Sequence, residues 1–132
     1  MVTPSLATRT LARYRAAISG EPLPLAIVDL DALDANIARL VTPARARGKS
    51  LRLATKSIRC PELLRYIASR GAPTVRGLMT YTATETRWLA DQGHTDLLLA
   101  YPTVLPHDVA LLAETNARGA TAAVVVDDVA HL

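Results

Sequence analysis

From residue 24 onward the chain alternates short apolar runs with amphipathic stretches, and no other property of it limits the fold so strongly. The apolar runs fall at residues 25–30, 51–55, 77–81, 97–101 and 121–126. Between them the apolar residues follow helical spacing. Leu33, Ile37, Leu40 and Ala44 share one face after Asp31, and Leu63, Leu64 and Ile67 follow Pro61 and Glu62. Trp88 and Leu89 are expected to point inward from a helix over 83–92, and Pro106 opens the next helix, which holds Val109, Leu112 and Ala113. Proline suits the first helical position because its missing N–H would be unpaired there anyway, while Gly48, Gly71, Gly93 and Gly119 stand where helices should stop. Strands therefore recur roughly 20 to 26 residues apart with a helix between, the pattern of βα units building a parallel sheet.

Two architectures use such units: an open doubly wound sheet and the eight-stranded β/α barrel. A dinucleotide-binding open sheet carries a glycine-rich phosphate turn after its first strand, but this chain has Asp-Leu-Asp-Ala-Leu-Asp there. The barrel is favoured. It would be a partial TIM-type α/β barrel holding about the first five parallel strands, because the sequence stops at His131-Leu132 just after the fifth run. Residues 1–23 form a separate lead-in. There Thr3 can cap a helix with Pro4 at its start, a face of Leu6, Leu11, Tyr14 and Ile18, and Gly20 at its end. Residues 24–132 make up the truncated barrel.

Composition removes several alternatives. Half of the residues are apolar, so a packed core is expected. The net charge of +3 is spread over arginines interleaved with acids, which argues against a nucleic-acid partner, and no apolar stretch argues for a membrane. One cysteine, Cys60, cannot form an intramolecular disulfide, and no Cys/His cluster has zinc spacing, so no metal ligands are assigned and a reducing cytoplasm is expected.

Lysine is scarce. Two lysines, Lys49 and Lys56, stand against thirteen arginines. An amine can lose its proton and condense with an aldehyde, whereas a guanidinium stays protonated. In a parallel β/α fold the functional face lies at the carboxyl ends of the strands, and Lys56 falls there while Lys49 falls in the loop before the second strand. Alternation gives direction: Leu51, Leu53 and Thr55 share one side of the strand, so Arg52, Ala54 and Lys56 share the other, which in a barrel is the interior.

The stretches PLAIVDLDALDANIARL, LRLATKSIRC, GLMTYTATETRWLADQG and DLLLAYPT resemble, in order and spacing, the amino-terminal part of the alanine-racemase-like, fold-type III enzymes that use pyridoxal phosphate. Within that superfamily the likeness is strongest toward the amino acid deaminase/aldolase and D-threonine aldolase branch. The resemblance implies that Lys56 holds pyridoxal 5'-phosphate covalently as a Schiff base. It implies a D-amino acid lyase, either an aldolase cleaving a 3-hydroxy amino acid to glycine and an aldehyde or a deaminase giving a keto acid and ammonia. It further implies that the phosphate-holding loops, a carboxyl-terminal β domain and the divalent metal of the aldolase branch belong to the full-length parent only. That parent is a homodimer candidate acting on a small amino acid, and this chain would be its inactive amino-terminal fragment. Rival readings are a racemase of the same fold, a noncatalytic pyridoxal phosphate-binding protein, and a fragment that binds nothing.

Four further residues are candidates for contacts with the cofactor. Asp29 ends the first run, Tyr81 and Tyr101 end later ones, and Arg59 follows Lys56 closely enough to hold a carboxylate or the cofactor ring. Asp31 is expected to cap a helix. Thr82 and Glu85 have capping-box spacing, Cys60 is expected to be inert, and His94 and His107 are expected at the surface.

Overall fold

A computed structural model describes residues 6–131, with side chains from Thr10 onward, so the expected caps Thr3 and Pro4 lie outside the described residues. The chain divides into two compact units, Met1–Leu30 and Asp31–Leu132. The first contains helix α1 (Leu6–Ala17). In the second, α2 (Leu30–Ala46, entered from Leu30) leads to β1 (Leu51–Ala54), α3 (Pro61–Gly71), β2 (Val75–Thr80), α4 (Ala83–Asp91), β3 (Asp96–Leu99), α5 (Pro106–Ala117) and β4 (Thr121–Val124). The strands form one parallel sheet in the order β1-β2-β3-β4. This α/β arrangement, with a preceding helix, is that of a partial TIM-type barrel.

One expected strand is not formed. Residues 25–29 carry no strand ladder among the described residues, and the next helix starts at Leu30, so Asp31 lies in its first turn rather than at its cap. A strand exists only where its backbone pairs with a neighbour, and an apolar run cannot announce whether that neighbour is there.

The sheet sorts its residues by parity. Leu78, Leu97, Leu99 and Ala122 are buried with Leu64 of α3, Ala83 and Leu89 of α4 and Leu112 of α5. Each fully buried leucine stabilises the fold by about 1.5–3 kcal/mol. A second cluster joins Ile37 and Val41 of α2 to Val75, with Leu33, Leu51 and Leu53 against it. The seam of α2 therefore runs through Leu33, Ile37 and Val41, one turn apart, while Leu40 is exposed. Trp88 also departs from the inward placement and is about half exposed, because the adjacent Leu89 takes the inward direction.

The other face of the sheet stays open enough to leave Ala54, Met79 and Leu98 partly exposed. Near its amino end Arg52 crosses β2 at Gly77 and pairs with Asp96 of β3, Nη1 to Oδ1 2.7 Å. Only glycine fits beneath that bridge: its φ is +66°, and a Cβ there would sit 2.6 Å from the Asp96 carboxylate.

Polar clips tie the helices down. Asp34 of α2 accepts from Tyr66 Oη at 3.0 Å and from Arg70 Nε at 3.1 Å. The Arg70 hydrogen bond holds the Asp34 carboxyl below its ordinary pKa. Under the sheet, the Thr80 and Thr86 hydroxyls lie 2.6 Å apart, so one donates to the other, and the second proton goes to the carbonyl beside it, Leu98 O for Thr80 or Thr82 O for Thr86. Among the described residues no helix is long and apolar enough to cross a membrane.

Candidate active site

At the carboxyl end of β1 the chain turns through one 3₁₀ turn, Thr55–Ser57. Thr55 is fully buried and its hydroxyl donates to Met79 O at 3.2 Å, which pins the end of β1 to β2. That anchor fixes the backbone from which Lys56 extends. Lys56 Nζ donates to Tyr101 Oη at 2.5 Å and lies 5.2 Å from the ring centroid.

Tyr101 follows β3, and Tyr81 follows β2 directly. Their rings meet edge to face with centroids 5.2 Å apart at 79°, the arrangement that sets a positive ring edge against a negative face. Arg59 closes the group: its guanidinium carbon is 6.0 Å from the Tyr81 centroid and its Nε donates to Lys56 O at 3.3 Å. Arg59 also has φ +47°, an uncommon conformation for a side-chain-bearing residue, held by its N–H donating to Thr55 O at 2.9 Å. Strained backbone of this kind clusters at functional sites. Nothing in the sequence signals it.

Four of the five candidate residues, Lys56, Arg59, Tyr81 and Tyr101, thus form one connected group. Asp29 lies in the first unit, where it accepts from Tyr14 Oη at 2.8 Å and pairs with Arg13 at 3.5 Å. That hydrogen bond from the phenol to a carboxylate raises the Tyr14 pKa. Lys49 precedes β1, at the opposite end of the strand from Lys56, beside Arg45 and Arg76.

Lys56 is exposed among the described residues. What they supply is a primary amine, a phenol on it and a guanidinium one turn away. Among the described residues neither Lys56 nor Arg59 is in an ion pair. An amine that can condense with an aldehyde, with spare cationic hydrogen-bond donors next to it, fits an aldehyde cofactor bearing anionic groups. No group of three or more His, Cys, Asp or Glu residues that could hold a metal occurs among the described residues.

The remaining candidates are placed as follows. Thr82 Oγ1 accepts from Glu85 N at 3.0 Å, while Glu85 Oε2 accepts from Tyr81 N at 2.7 Å, one residue before the cap. Cys60 is the N-cap residue of α3 and is partly buried, with Sγ 3.4 Å from Glu62 Oε2. His94 Nε2 is buried without a partner among the described residues.

No family model matches the chain, and no curated protein matches it. Among solved structures it is similar to the crystal structure of D-threonine aldolase from Filomicrobium marinum, at 28% identity and a TM-score of 0.73. The match covers 83% of this chain and 29% of that one, so the chain corresponds to under a third of the aldolase's length. The likeness to fold-type III enzymes of the D-threonine aldolase branch is therefore present in three dimensions as well as in the residues.

Proposed function

We propose that this chain supplies the cofactor-bearing lysine of a pyridoxal-phosphate-dependent lyase that acts on D-amino acids, of D-threonine aldolase or D-serine deaminase type. The observation that carries the reading is the Lys56–Tyr101 contact at the carboxyl ends of β1 and β3. The similarity to a D-threonine aldolase supports it. When bound, the cofactor supplies an electron sink for the bond broken at Cα. The chain's own residues do the rest.

Lys56 Nζ would hold the cofactor through its aldehyde, and as a primary amine it could serve as a base when not so engaged. Tyr101 Oη, 2.5 Å from Nζ, orients the amine and can pass a proton to or from it. Arg59 has the planar fork suited to a substrate carboxylate, and Tyr81 braces both Arg59 and Tyr101 through its ring. A reducing cytoplasm, where the free Cys60 persists, is the proposed setting.

The test is an assay of the full-length protein containing this chain, with pyridoxal phosphate, on D-threonine and D-serine. Glycine and acetaldehyde from D-threonine assign the aldolase; pyruvate and ammonia from D-serine assign the deaminase. Lys56→Ala should abolish turnover, and Tyr101→Phe should lower kcat by about 10²-fold or more, as expected for loss of an acid–base partner. Interconversion of enantiomers with neither cleavage nor deamination would replace the lyase by a racemase.

A further inference from the structure

Behind the Lys56 group, on the helix-covered side of the sheet, a cavity of about 300 Å³ opens between α3 and α4. Its buried lining includes Leu64 and Leu89, and its exposed lining includes Trp88, Tyr81 and Arg59. Neither Lys56 nor Tyr101 lines it. It shares Arg59 and Tyr81 with the Lys56 group, but not the amine or the phenol on it.

Its size is at the low end for ligand sites, which admits one ring or a short branched chain and little more. Its surface is mostly apolar, so water inside it gains little and an apolar group would displace that water favourably. Two charged groups border it, and they are not equivalent. Glu85 is held in the α4 cap, where its Oε2 accepts from the Tyr81 N–H at 2.7 Å. The Arg59 guanidinium has no acidic partner among the described residues. Its backbone is fixed at φ +47° by the Thr55 carbonyl, so the direction in which the side chain leaves the turn is set. An unpaired fork beside an apolar hollow recognises a carboxylate attached to an apolar tail.

We infer that this pocket is a binding site for a small carboxylate bearing an aromatic or branched apolar tail, filled without the cofactor and without Lys56. It goes beyond the lyase reading, with which it shares Arg59, and needs neither the cofactor nor Lys56. The molecule carries its own reporter, since Trp88 is the sole tryptophan and borders the pocket.

The experiment is a titration of the cofactor-free chain with 3-phenylpropionate, followed by Trp88 fluorescence and by melting temperature, beside the same titration with 3-phenyl-1-propanol. The acid should give a saturable fluorescence change and a concentration-dependent rise in melting temperature, and should bind at least tenfold more tightly than the alcohol. Arg59→Gln should reduce the acid to the level of the alcohol, and Lys56→Ala should leave its binding unchanged. Absence of saturable binding by both readouts, equal binding of acid and alcohol, or full binding by Arg59→Gln would overturn the inference. Loss of binding in Lys56→Ala would also overturn it by moving the ligand to the amine. The acid-against-alcohol comparison needs no variant, so the inference stays testable if a substitution unfolds the chain.

Discussion

Lys56 and Tyr101 are 45 residues apart in sequence and 2.5 Å apart in space. Each could be placed from the sequence because strand parity and strand ends decide where a side chain points in a parallel sheet. The strain at Arg59 could not, since φ depends on how a turn is anchored, and here the anchor is the buried backbone around Thr55. His94 is a second residue whose character comes from packing alone. Burial, and then the nearby Arg65 charge, push its imidazole pKa below the ordinary 6.5. The unfolded chain takes up that proton near 6.5 while the folded chain resists it. Stability is therefore full above that value, falls as pH drops through it, and levels off only below the folded pKa. Denaturant midpoints measured from pH 8 to pH 5 should show this slope in the native chain and a shallower one in His94→Gln; equal slopes would remove His94 as the cause.

At the scale of elements, helices α3, α4 and α5 are opened by prolines or a threonine cap that the sequence displays openly. Strand ends are legible from the same alternation. What was hidden is pairing. The run at 25–30 has strand composition and no ladder, whereas β1 has a similar composition and pairs with β2. The Arg52–Asp96 bridge over Gly77 is equally invisible, because it joins three strands through residues that look unrelated in sequence. Placing a methyl at Gly77 would strain a positive φ and push the bridge apart. Gly77→Ala should destabilise the fold by about 1–3 kcal/mol in a denaturant melt. A change under about 0.5 kcal/mol, typical of an unconstrained surface site, would mean that the bridge does not press on this glycine.

Across the unit Asp31–Leu132, helices α2 to α5 pack on one face of a four-stranded parallel sheet while the other face presents partly exposed Ala54, Met79 and Leu98. In a closed barrel that second face is the interior, which is where strand parity directs Lys56. The alternating pattern made the architecture legible, but the number of strands and the location of the pocket between α3 and α4 depended on contacts that periodicity does not encode. The central claim is that Lys56, and not Lys49, is the amine that holds the cofactor. Its most direct measurement is incubation of the chain with pyridoxal phosphate, borohydride reduction and mass-spectrometric mapping of the modified peptide. The account predicts a single reduced adduct on the peptide containing Lys56, absent in Lys56→Ala. No adduct, or one on Lys49, would contradict it.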